Sequence, residues 1–194
     1  MRRVLTAIAL LCAGCSAQSS GERDCMGPPP PTGNGFSPED PPEIAIALRG
    51  VDGSVMQTTN GSAAPIVGAP QGGFIVLAGF RARNMDVCTD LTAAIRDESD
   101  SNRIVSLEQR PAQLVLGTDG WMTPALPDEL FNWANLPACP NAALTRDLAG
   151  QSWLLEITVR DKNGRTASAS QHIVPFCAEP ALEEYCMDVC TLGP

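Results

Sequence analysis

Eight cysteines and a single histidine carry most of the reactive chemistry in this chain of 194 residues. Cys12 and Cys15 end an apolar N-terminal run, and Cys25, Cys88, Cys139, Cys177, Cys186 and Cys190 follow. In an exported chain an even set of cysteines predicts disulfides, but spacing alone does not select among the many pairings. Cys88 and Cys139 flank the middle of the chain and suit a long staple, whose loop of about fifty residues would add a few kcal/mol by restricting the unfolded state. Cys25 would tie down the linker or pair with a tail cysteine. The last three cysteines would clamp a short tail to the body. Residues 180–190 read as about three helical turns opened by Pro180. Leu182, Cys186, Val189 and Cys190 then share one face. Side chains four apart on a regular helix run parallel, so Cys186 and Cys190 would each pair with the body rather than with one another.

The same tail is the one place where soft metal ligands gather. Cys186 and Cys190, together with Met26, Met122 and His172, point to copper binding or redox chemistry as an alternative function. Copper electron-transfer sites ordinarily use two histidines, and this chain has one. The spacing is neither the CxxC of a dithiol oxidoreductase nor the CxxCH of a haem attachment site. The leading expectation is therefore no metal and no cofactor. Nor does His172 announce catalysis. There is no GxSxG elbow, no HExxH and no phosphate-binding glycine motif between a strand and a helix. A hydrolase would need Ser170 or another serine beside His172, and an acid. Asp97, Glu98 and Asp100, like Asp161 with Asn163, fall short of a calcium-loop pattern and read as solvated turns. No catalytic residue is predicted.

The frame that would position these groups is extended. In residues 152–176, Trp153, Leu155, Ile157 and Val159 alternate with Leu154, Glu156, Thr158 and Arg160, the period of a half-buried strand. Asp161-Lys162-Asn163-Gly164 supplies a turn, and a Thr/Ser-rich run returns. Upstream strands are predicted at 43–48, 55–58, 74–80, 91–96, 104–108 and 112–116. Both faces of the 74–80 run are apolar, and Arg81 and Arg83 then turn its outward face basic. Residues 59–72 and 117–127 read as loops punctuated by Gly and Pro, and 127–142 as a helical turn followed by a cysteine-pinned loop. Trp121, Met122, Phe131 and Trp133 in these segments either cover the core or form a binding loop. Many short strands with 17 glycines and 17 prolines predict an all-β domain. The expected form is an antiparallel immunoglobulin-like or fibronectin-like sandwich with a short cysteine-rich helical C-terminal tail. A jelly roll or another all-β form is the alternative, and a lipocalin-like barrel is disfavoured because the strands are short.

Residues 1–14 have the basic start and short apolar stretch of a secretory leader. Leu11-Cys12-Ala13-Gly14-Cys15 is similar to a bacterial lipoprotein signal, which implies lipid on Cys15, while a plain leader cut near Ala17 would leave a secreted protein. Residues 15–42 form a Pro/Gly-rich tether, with Pro28-Pro29-Pro30-Pro31 and Gly33-Asn34-Gly35. The domain proper then spans 43–176, and the disulfide-linked tail spans 177–194. A formal charge of −9 repels a phosphate backbone, so nucleic acid is not an expected partner.

The leader, the tether, the Pro70-Gln71-Gly72-Gly73 opening of a strand and the Asp161 turn into a Thr/Ser-rich strand together resemble uncharacterised small envelope lipoproteins of myxobacteria. In some of that group a histidine follows the paired glycines; here Phe74-Ile75-Val76 stands there, so no metal role attaches to that stretch. The resemblance implies a sandwich and a cell-envelope address, with the outer membrane favoured by Ser16. The leading expectation is a non-enzymatic lipoprotein, held to the membrane by its N-terminal lipid, whose domain binds an envelope protein or glycan or serves structurally.

Overall fold

The computed structural model describes residues 39–125 and 132–191. The leader, Cys15, Cys25, Met26, Phe131 and nearly all of the tether lie outside them. The elements run β1 (Glu43–Arg49), β2 (Val55–Gln57), β3 (Ser62–Gly68), β4 (Phe74–Arg83), β5 (Cys88–Asp97) and β6 (Arg103–Leu116). They continue with β7 (Met122–Pro124), β8 (Ala134–Cys139), β9 (Trp153–Asp161), β10 (Thr166–Cys177) and the helix α1 (Glu183–Cys190). Among the described residues no helix is long and apolar enough to cross a membrane.

The alternating hairpin forms as its period requires. β9 and β10 pair antiparallel from Thr166 opposite Arg160 to Ile173 opposite Trp153. Trp153, Leu155, Ile157 and Val159 are each at most 1% exposed. Gly164 closes the turn at φ 80°, a backbone conformation open to glycine at little cost. β4 is buried on both faces, as an uninterrupted apolar run implies. Phe74, Val76, Ala78, Phe80 and Ala82 enter the main core. Ile75 and Leu77 face the other way, into a smaller core with Ala47, Val67 and Trp133. Gly79 continues that outer row, and the Trp133 ring lies where a Cβ would otherwise project.

The open sandwich expected from the sequence is not what forms. The domain is all-β with one C-terminal helix, but seven of its strands close into a barrel in the order β4-β3-β10-β9-β5-β6-β7, with β7 returning to β4. Neither an immunoglobulin-like nor a fibronectin-like arrangement describes it. The reason lies in two strands that read as loops. β3 arises within the Gly- and Pro-punctuated stretch, yet four of its seven residues are buried. It pairs antiparallel with β4 and parallel with the end of β10, so it joins two edges a sandwich would leave apart. β7 arises in the second supposed loop and links β6 to β4, with Met122 opposite Ala82.

β4 is consequently paired on both edges along its length. One edge takes β3 and then β1, and the other takes β8 and then β7. β8 replaces the predicted cysteine-pinned loop and brings Cys139 opposite Phe74. The two short strands predicted around Pro111 are one strand, β6, in which Pro111 faces Asp90 of β5.

Candidate metal centre

Four cysteine sulfurs meet where the barrel receives its C-terminal helix. Cys139 is the last residue of β8, and Cys177 is the last residue of β10, opposite Ile66 of β3. α1 brings Cys186 and Cys190 on one face, and these are its only buried residues. Two bridges join the set: Cys139 to Cys190, with Cα atoms 5.1 Å apart, and Cys177 to Cys186, at 5.9 Å. The parallel-side-chain rule for a helix accounts for the outcome, since Cys186 and Cys190 each pair outside α1. Their sulfurs nevertheless lie 3.8 Å apart. The Cys177, Cys186 and Cys190 sulfurs all fall within 4.8 Å of one another. This is an all-β domain with a C-terminal cysteine cluster close enough to chelate a metal. The staple predicted between Cys88 and Cys139 does not exist; Cys88 is disulfide-bonded, but Cys139 belongs to Cys190.

Local contacts fix the helix over this spot. Leu182 packs on Gly68, where an added Cβ would sit 3.1 Å from Leu182 Cδ1. The Gly68 N–H donates to Glu179 Oε1 at 2.6 Å. The Tyr185 ring meets Phe74 with centroids 5.7 Å apart. Glu183, Glu184 and Asp188 point to solvent, and no basic residue lies in the last turn of α1. The cluster is therefore acidic at its rim. Beside Cys139 runs an open groove of about 470 Å³, bordered by Gly73, Phe74, Glu108, Arg110, Asn135 and Pro140.

Met122 and His172, the other soft ligands named from sequence that are among the described residues, lie elsewhere. Met122 is buried in the barrel. His172 lies five residues before Cys177 along β10, about 17 Å away at strand spacing. Its Nε2 is 2.7 Å from Glu98 Oε2, and Asn60 Oδ1 accepts from its backbone N–H at 2.8 Å and lies 3.0 Å from Nδ1. An acid thus accompanies the imidazole, and among the described residues the hydrogen-bond partners of the ring are Glu98 and Asn60 rather than a serine.

Of the candidate binding-loop residues, Trp121, Met122 and Trp133 are among the described residues, and they differ in burial. Trp133 is fully buried and Met122 nearly so. Trp121 is half-buried, with the Arg81 and Arg83 guanidiniums 5.2 Å and 4.4 Å from its ring. Asp119 ties this group together, pairing with Arg81 and accepting from the Trp121 N–H. The backbone bond from Trp121 and then the Arg81 guanidinium hold the Asp119 carboxyl below its ordinary range.

The acidic turns are structural. Asp161 is 4% exposed; its carboxylate accepts from the Asn163 and Arg165 N–H groups and pairs with the Arg165 guanidinium. Asp97 is fully buried. Burial raises its pKa, but hydrogen bonds from Ser99 and Arg146 outweigh that and hold it below the usual carboxylate range. Glu98, Asp100 and Asn163 are exposed, as a solvated turn requires, but the first acid of each turn, Asp97 and Asp161, is buried. Sequence reasoning missed Cys139 as a member of the cluster, because nothing in the spacing shows that β8 ends beside α1. No protein-family model matches the chain, and no curated protein matches it.

Proposed function

We propose that this is a binding protein with a redox-responsive sulfur site: bridged when oxidised, and taking a soft metal ion, Cu(I) or Zn²⁺, when reduced. The observation that carries this is the mutual approach of the Cys177, Cys186 and Cys190 sulfurs to within 4.8 Å. A disulfide sulfur is a poor donor and a thiolate a strong one, so metal binding belongs to the reduced form. Sulfurs about 2.3 Å from a tetrahedral zinc lie about 3.8 Å from each other, and a trigonal arrangement needs about 4.0 Å. The separation between Cys186 and Cys190 already meets the first figure. Cys139, released from Cys190, is the nearest candidate for a fourth ligand. His172 takes no part, so the copper alternative read from sequence survives on thiolates alone. The acidic residues of 179–188 draw cations toward the site. The binding-loop reading has lost Met122 and Trp133 to the core. The leader and tether support an envelope address with lipid on Cys15.

The test is to reduce the full mature protein anaerobically, remove the reductant, and titrate Cu(I) and Zn²⁺ separately. The expected result is one ion per chain with thiolate-to-metal absorption for copper, and binding weaker by at least about tenfold in Cys186→Ser/Cys190→Ser. A reduced protein that takes up neither ion, or a double variant that binds as well, would overturn the proposal.

A further inference from the structure

We propose that the cluster is also a thiol–disulfide relay, in which a dithiol reductant enters at Cys177 and its electrons pass to the buried Cys139–Cys190 bridge through Cys186. This rests on the reading above that the four cysteines are a redox site. Two observations carry it. Cys139, Cys186 and Cys190 are at most 2% exposed, whereas Cys177 is half-buried at the end of β10. The buried bridge is therefore shielded from direct attack, because exchange needs a thiolate to approach a sulfur. Cys186, the group that leaves when Cys177 is attacked, stands 3.8 Å from the Cys190 sulfur.

The steps balance. A thiolate of the dithiol attacks Cys177 Sγ; the Cys177–Cys186 bond breaks and Cys186 leaves as thiolate. The second thiol of the dithiol resolves the mixed disulfide, frees Cys177 as a thiol and closes the reductant into its own disulfide. Two electrons have then entered the protein. The Cys186 thiolate next attacks Cys190 Sγ; a Cys186–Cys190 bond forms, the Cys139–Cys190 bond breaks, and Cys139 leaves as thiolate and takes a proton. No electrons enter in that step. The new bridge is strained, since residues four apart on a helix have Cβ atoms about 5–6 Å apart where a disulfide needs about 3.8 Å. Cys190 is the last residue of α1, so its turn can unwind to admit the bond. A strained disulfide is readily exchanged: the neighbouring Cys177 thiolate attacks Cys186 Sγ, the Cys177–Cys186 bridge re-forms and Cys190 leaves as thiolate, and a second dithiol then opens that bridge at Cys177 as before to leave all four thiols free.

The order of opening is measurable. Full-length protein is treated with dithiothreitol, quenched with acid at intervals, alkylated, and its bridged peptides are identified by mass spectrometry. The expected sequence is loss of Cys177–Cys186 first, then a Cys186–Cys190 peptide with Cys139 alkylated. In Cys177→Ser/Cys186→Ser the Cys139–Cys190 bridge should open at least about tenfold more slowly than in the parent. Should Cys139–Cys190 open first, by attack through the adjoining groove, the relay is wrong. It is equally wrong if no Cys186–Cys190 peptide forms and the double variant opens at the parent rate. The two proposals fail separately: a protein that binds metal when reduced but forms no exchanged bridge loses only the relay, while one that exchanges but binds no ion loses only the metal site.

Discussion

Removing the outer bridge of the cluster should cost more stability than removing the inner one, and the difference follows from chain statistics. Cys139–Cys190 spans 51 residues and Cys177–Cys186 spans 9. Restricting the unfolded chain by these loops is worth about 4 kcal/mol and about 2.5 kcal/mol respectively. The bridges are nested, so the inner one shortens the outer loop to about 43 residues, which changes its figure by only about 0.2 kcal/mol. Cys139→Ala/Cys190→Ala should therefore lose about 1.5 kcal/mol more than Cys177→Ala/Cys186→Ala. Alanine is chosen because a serine hydroxyl would add a buried polar group, and three of the four sites are buried. Urea unfolding of the oxidised proteins, followed by the fluorescence of buried Trp133 and Trp153, gives both values. The outer-bridge variant should also show the larger rise in m, since its unfolded chain expands further. Equal losses, or a larger loss from the inner pair, would refute the loop argument. They would place the stabilisation in the packing of α1 against the barrel instead.

Gly79→Ala should destabilise by about 1–3 kcal/mol, because the new methyl would sit 2.6 Å and 2.7 Å from Trp133 ring atoms; thermal unfolding with near-ultraviolet circular dichroism checks it, and an unchanged Tm would mean the ring moves freely. Asp97 has a folded pKa held below its unfolded value, so its stabilising contribution is present above about pH 4 and is lost as pH falls through the folded pKa. Asp97→Asn should lower the urea midpoint at neutral pH and flatten its decline in acid; a variant that loses stability in acid as steeply as the parent would contradict this.

Period-2 patterning is a local property, and it was readable in β9, in the apolar start of β4 and in Leu91, Ala93 and Ile95 of β5. It failed where neighbours, not the strand's own residues, supply the reason for extension. β3 contains Pro65 and ends at Gly68, which lower its intrinsic strand preference. Ala64, Ile66 and Val67 are nonetheless buried between β4 and β10. Tertiary burial overrides propensity there, and missing β3 together with β7 turns a closed barrel into an open sandwich. The helix was legible from the spacing of Leu182, Cys186, Val189 and Cys190. So was the refusal of its two cysteines to pair with each other. Their partners were not, because Cys139 is brought to α1 by the register of β8 on β4, which no local pattern encodes. Asp97 and Asp161 misled for a related reason: acids in a turn look solvated until the strands that flank them close over their carboxylates.

On the proposed reading, reduction and metal loading are a single equilibrium. α1 has eight residues, too few to persist alone, and it buries only its two cysteines. Without bridges the contacts of Glu179, Leu182 and Tyr185 remain, and a metal held by Cys177, Cys186 and Cys190 would add a stronger tie between β10 and the helix. The acidic rim acts in the same direction: negative charge near a thiol disfavours the thiolate until a cation arrives. Loading must then displace protons as well as bind the ion. An ion that binds only the reduced protein draws the disulfides toward reduction, by about 1.4 kcal/mol for each tenfold excess of free ion over its dissociation constant. A soft metal and a dithiol should therefore open the cluster together under conditions where the dithiol alone leaves it closed, and the same ion should have no such effect once Cys186 and Cys190 are replaced.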